Sequence, residues 1–166
     1  MKIFFIVVQK KHLICLFVSI IMLFLSCNPN YKTELGNGYY LDTYEGKDYA
    51  CICDSTRTIL IDMCVLDYAY DSIFIIATQK PYVEIYDSLY NANPKLRYEE
   101  TKRIFKESLK YYYWIINKKQ ESIYYYDTVT QKSYRENVYG QYNREEYLKK
   151  REELGVPDNL RLAKYD

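Results

Sequence analysis

The sequence predicts an α+β domain, with one antiparallel sheet of about five to seven strands and two helices, one of them C-terminal, behind an export leader. Three observations support this. Short runs of aromatic and β-branched residues, separated by turn formers, recur through the middle of the chain. Two stretches carry helical rather than alternating spacing, and both lie outside the main run of strands. The strand–helix–strand rhythm that would demand a parallel sheet is absent.

The first 26 residues differ from the rest. Lys2, Lys10 and Lys11 make the start basic with no acidic residue to balance them, and Leu13 to Leu25 (LICLFVSIIMLFL) is an apolar run. A basic start, a short apolar segment and a small residue at its end make up an export signal. The run is shorter than the roughly 20 apolar residues that span a bilayer. It ends in Phe24-Leu25-Ser26-Cys27, which resembles the lipobox of bacterial lipoproteins, with the required small residue, Ser26, before the cysteine. Phe24 stands where leucine is usual, and Leu25 is larger than the common occupant. The expectation is a signal peptide over 1–26, cleavage before Cys27, acylation of that cysteine and retention at a membrane. The competing readings are an uncleaved anchor and an ordinary thiol at Cys27. Each buried acyl methylene contributes about 0.8 kcal/mol, so more than one chain holds a protein firmly. Asn28 at the second mature position, and the lack of an acidic cluster in Asn28 to Lys32, place the domain facing the periplasm under the sorting rules of hosts that use them.

The next segments follow in order. Residues 27–37 are polar, contain Pro29, and read as a tether. The remainder, 38–166, reads as a single domain. Gly38 to Tyr44 reads as the first strand, and Ala50 to Arg57 as a polar, cysteine-bearing loop. Thr58 to Asp62 and Cys64 to Tyr70 read as strands, the second with Cys64, Leu66, Tyr68 and Tyr70 on one face. Asp71-Ser72 suits a tight turn, because both side chains can bond nearby backbone. Ile73 to Thr78 is apolar on both faces and suits a central strand. Pro81 opens a segment, Tyr82 to Tyr86, that reads as an edge strand because proline cannot donate to a ladder. Tyr98 to Lys110 reads as a helix with Ile104, Phe105 and Leu109 on one face. Tyr111 to Asn117 (YYYWIIN) is strongly strand-like, and Ile123 to Asp127 follows as a strand. Loop continues to Gly140. Arg144 to Leu154 is the best-marked helix. Asn143 and Glu146 stand three apart as a capping box, Glu145 and Glu146 suit the positive end of the helix dipole, and Tyr147, Leu148 and Leu154 form the apolar stripe. Gly155 and Pro157 end it.

Composition excludes several activities. The single histidine, His12, lies in the leader, so the mature domain lacks imidazole for acid–base work, for a Ser-His or Cys-His pair, or for zinc. Three of the 23 basic residues leave with the leader, so the 22 acidic residues then outnumber the rest and nucleic acid is a poor partner. With Cys27 lipidated, Cys51, Cys53 and Cys64 remain in an oxidising compartment. A bridge from Cys53 to Cys64, or from Cys51 to Cys64, would leave one thiol over. The pair Cys51-Ile52-Cys53 is a weak metal motif on its own, and neither metal nor cofactor is expected.

Asp42, Asp62, Asp67 and Asp71 match no calcium-loop spacing, and Asp54-Ser55-Thr56 has no base beside it. Lys118, Lys119 and Lys132 read as solvated. All 22 tyrosines lie after the leader. Strand propensity accounts for most of them, but Tyr111, Tyr113, Trp114, Tyr124 and Tyr126 form the strongest candidate binding surface. The outer members of each tyrosine triplet share a strand face.

Tyr70 to Ala77 (YDSIFIIA), Tyr113 to Asn117 (YWIIN), Val138-Tyr139-Gly140 leading into Asn143 to Tyr147 (NREEY), and Leu154-Gly155-Val156-Pro157 resemble a family of small bacterial lipoproteins classed only as a domain of unknown function. Gly140-Gln141-Tyr142 replaces the Gly-Pro-Leu expected before the last helix. The resemblance implies the same architecture and brings no catalytic residue. Three functional classes follow. The first is a lipid-anchored, non-catalytic envelope module that binds a protein or cell-wall component. The second is a periplasmic immunity or inhibitor lipoprotein acting on a toxin or hydrolase. The third is a histidine-independent hydrolase.

Overall fold

The structure, a computed structural model, describes residues 31–43, 49–128 and 132–165. The leader and Cys27 therefore lie outside the described residues. The fold is α+β. Its strands are β1 (Tyr31–Gly36), β2 (Tyr39–Thr43), β3 (Ala50–Cys53), β4 (Ile59–Ile61), β5 (Val65–Tyr70), β6 (Phe74–Gln79), β7 (Tyr112–Asn117), β8 (Tyr124–Asp127), β9 (Lys132–Arg135) and β10 (Val138–Tyr142). The helices are α1 (Tyr82–Ala92), α2 (Tyr98–Glu107) and α3 (Arg144–Leu154).

Instead of one sheet there are two four-stranded antiparallel sheets, ordered β1-β2-β3-β4 and β10-β7-β6-β5, with β8-β9 as a separate hairpin. The sheets share a core. Leu35, Leu41, Ile52 and Ile61 of the first meet Ile75, Ala77 and Ile116 of the second. Alternate residues of the same strands, Phe74, Ile76, Tyr113 and Ile115, face the other way and pack under Tyr147 of α3 and Val156, Leu160 and Leu162 of the C-terminal tail. The second sheet is thus covered on both faces, which is why β6 and the end of β7 carry no polar alternation. Each fully buried isoleucine contributes about 1.5–3 kcal/mol relative to exposure.

Several expectations change. Part of the segment read as a tether is strand β1, joined to β2 through Gly36-Asn37-Gly38, all three with positive φ (83°, 54° and 78°). Asn-Gly is a strong hairpin signal, and it marks this turn. The loop read over Ala50 to Arg57 contains β3, whose four residues are all buried because β2 and β4 flank it. In β5 a register shift between Val65 and Asp67 breaks the expected alternation and turns Val65 and Tyr68 toward the same core. The edge strand read after Pro81 is helix α1, in which Tyr82, Ile85, Tyr86 and Leu89 have helical spacing and Pro81 sits at the N-cap. The loop read up to Gly140 contains β9 and β10, so there are three helices and ten strands among the described residues.

Other expectations match. β6 is central, and Asp71 Oδ1 accepts from the backbone N–H of Ile73 and Phe74, building the turn before it. Helix α3 has the expected boundaries, a capping box between Asn143 and Glu146, and a left-handed stop at Gly155 (φ 68°). Its buried stripe is not the expected one. Arg151 is buried with Tyr147, while Leu148 is exposed. No helix among the described residues is long and apolar enough to cross a membrane.

Candidate functional site

The strongest candidate site is a pocket of about 260 Å³ where β5 and β6 meet α1 and α2. It is built from the end of β6 outward. Lys80 follows that strand, and its backbone N–H donates to the Cys64 carbonyl at 3.0 Å, which seats the chain before Pro81 turns it into α1. One turn apart on α1, Tyr82 and Tyr86 stack with ring centroids 4.2 Å apart. Phe105 of α2 meets Tyr82 edge-on at 5.4 Å and Tyr86 at 5.6 Å. Tyr111 and Tyr165 of the tail pair at 5.1 Å and close another side, and Tyr49 and Tyr98 also line the cavity.

The pocket's polar feature is Lys80, 6 % exposed. Its Nζ donates to the Lys106 carbonyl at 2.8 Å and lies 5.1 Å from the Phe105 ring centroid and 5.6 Å from that of Tyr111. The Lys106 carbonyl is in the last turn of α2, where carbonyls lack helical partners and a cation complements the dipole. Among the described residues no carboxylate pairs with this ammonium. Burial pulls its pKa below that of an ordinary lysine, with the nearby Cys64 sulfur opposing. Burial, helped by a hydrogen bond with Tyr82, pushes the Tyr86 phenol up to about 12, so it stays neutral. The site therefore offers ring faces, phenol hydroxyls and one sequestered cation.

A second, shallower groove of about 820 Å³ runs past Trp114 and Tyr112, with Asp62, Glu84 and Asp87 on its walls. Glu84 is held there by the Lys110 ammonium and the Tyr112 hydroxyl. Trp114 donates to Gln79 Oε1 at 2.9 Å.

The expected surface is only partly assembled. Tyr113 is buried and stacks on Tyr147 at 4.9 Å, and Tyr111 and Trp114 are half-buried. Tyr124 and Tyr126 are exposed, as is Tyr125 between them, on the separate β8–β9 hairpin. The two triplets thus do not form one face. Neither expected bridge, Cys53 to Cys64 or Cys51 to Cys64, is present. All three cysteines are buried thiols, and burial drives Cys51 up to about 11. Lys118 is buried rather than solvated. Its Nζ donates to the carbonyls of Leu35, at 2.7 Å, and Asp71. Lys119 is exposed, and the side chain of Lys132 lies outside the described residues.

The aspartates do not converge. Asp67 accepts from the backbone N–H of Tyr68 and Lys164, and Asp62 from that of Met63. Burial raises the Asp54 pKa, but hydrogen bonds from Thr56 and Thr58 outweigh it and hold the carboxyl below its usual range. Among the described residues no group of three or more potential ligands could hold a metal. Sequence reasoning missed Lys80, Tyr82, Tyr86 and Phe105. The helical spacing of Tyr82 and Tyr86 was the available signal.

Comparison with known families adds one match. The model of a protein family of unknown function, DUF3997, covers residues 36–166. The chain belongs to the DUF3997 family. That span holds every residue of the pocket in this DUF3997 domain, from Tyr49 to Tyr165. No curated protein and no solved structure matches the chain.

Proposed function

We propose that this DUF3997 protein is a lipid-anchored component of the cell envelope, acylated on Cys27 and facing the periplasm, which acts by binding a ligand and not by catalysis. The observation that carries the binding role is the aromatic pocket around Lys80. Among the described residues this buried cation has one hydrogen bond and no counter-ion, which is costly to keep, and such groups concentrate at functional sites. The anchor rests on the basic start, the apolar run and Ser26-Cys27.

The two halves are tested separately. Palmitate label should enter the wild type and not Cys27→Ala, and equal label in both defeats the anchor. A photo-crosslinking amino acid in place of Tyr98, irradiated in native membranes, should give a discrete adduct. An adduct pattern matching that from Leu109, which is exposed and not part of the pocket lining, defeats the pocket as the binding site.

A second reading, a periplasmic immunity or inhibitor lipoprotein neutralising a toxin or hydrolase, draws support from Tyr124, Tyr125 and Tyr126. They are 57 %, 48 % and 53 % exposed side by side, and exposed tyrosines are common anchors at protein interfaces. Capture of one toxin-like protein from a crosslinker at Tyr125, with nothing at Tyr98, would favour it.

A further inference from the structure

Two lysines are buried among the described residues, and they are not alike. Lys118 spends its ammonium on two carbonyls between the sheets. Lys80 makes one hydrogen bond among the described residues, to Lys106, and lines a cavity. Among the described residues, the charged side chains around that cavity are Lys80, Lys102 and Lys106, with no carboxylate among them. Aromatic cages that capture cations offer an electron-rich box with no resident positive charge. Here the ammonium of Lys80 already sits against Phe105 and Tyr111, so a second cation is repelled. The remaining donors suit an anion, and a buried cation competes little with water for it.

Size and shape narrow the guest. At about 260 Å³ the cavity falls just below the roughly 300–1,000 Å³ usual for ligand sites, enough for one ring and its substituents but not for a polymer. Ring faces at Tyr82, Tyr86 and Phe105 favour a flat or ring-shaped body.

We propose that the pocket is a receptor for a small single-ring carboxylate, its ring against the Tyr82–Tyr86–Phe105 wall and its carboxylate accepting hydrogen bonds from the Lys80 ammonium. This rests on the reading of the pocket as the binding site. Both an aromatic acid and a sugar acid have this chemistry.

The test titrates the full chain in detergent micelles with benzoate, glucuronate, benzamide and benzylamine, read by ligand-observed NMR. At least one carboxylate should bind about tenfold or more tightly than benzamide and benzylamine, the scale of a hydrogen bond to a charged group. Benzoate alone assigns an aromatic acid, and glucuronate alone a sugar acid. In Lys80→Met the preferred carboxylate should fall to the level of benzamide. Should that variant fail to fold, the wild-type comparison of the better carboxylate with benzamide and benzylamine decides alone. Benzamide or benzylamine binding as tightly as the better of the two carboxylates overturns the anion assignment while leaving the pocket a binding site. Binding of no probe overturns the assignment too, and joined to a failed Tyr98 crosslink it removes the binding reading as well.

Discussion

Trp114 lies flat against Gly140: a Cβ built on that glycine would fall 2.0 Å from indole Cε3 and 2.4 Å from Cδ2. The two residues are paired in register between β7 and β10. In Gly140→Ala the indole must move and loosen its bond to Gln79, for a cost of about 1–3 kcal/mol, as for overpacked cores. Circular dichroism during chemical denaturation reports the change in every variant, including those that lack Trp114, the only tryptophan. Adding Trp114→Leu to Gly140→Ala should recover much of the loss. Additive losses would contradict the clash.

Lys118 should behave as a structural residue. Lys118→Met strips the Leu35 and Asp71 carbonyls of their donor, and each orphaned buried acceptor costs about 1–3 kcal/mol. Denaturation midpoints should show Lys118→Met well below the wild type and below Lys80→Met, which loses one bond.

Arg151 fastens the tail. Its guanidinium donates to Tyr147 Oη at 3.0 Å and to the carbonyls of Pro157, at 3.0 Å, and Leu160, at 2.7 Å. Arg151→Met should release the tail locally, so trypsin cuts after Arg161 and Lys164 much faster while the sheets persist. Asn143→Ala, which removes the α3 cap, should cost about 1 kcal/mol without that selective cutting.

The thiols give a pH signature. Burial raises Cys51 from its ordinary 9.0 to about 11. A group whose folded pKa lies above the unfolded value contributes stability below the unfolded pKa, and that contribution is lost as pH rises through the folded one. Denaturation midpoints should therefore fall between about pH 9 and 11, and Cys51→Ala should flatten that limb. Thiol reagents at pH 8 should spare the native protein and label Cys51, Cys53 and Cys64 after unfolding.

Legibility in the sequence tracked how local each signal was. Helix α3 was readable to its ends because its cap, Asn143 with Glu146, and its stop, Gly155, are contained in the segment itself. β6 was readable because it is apolar throughout. β3 was not, since Ala50 to Cys53 is short, adjoins the polar Asp54 to Arg57, and is buried by strands on both sides. Helix α1 was misread because Pro81 fits both a strand edge and a helix start. The pocket was invisible because β6, α1, α2 and the tail bring it together. Whether Lys80 or Lys119 is buried depends on what covers it, and the lysine itself carries no mark of that.

Val156, Leu160 and Leu162 form the outer lining of the second sheet. A ribosome stalled before Val156 would hold a chain whose Phe74, Ile76 and Ile115 stand bare to water, a greasy wall of the kind that chaperones and proteases recognise. A copy cut short before Val156 therefore carries its own label for disposal.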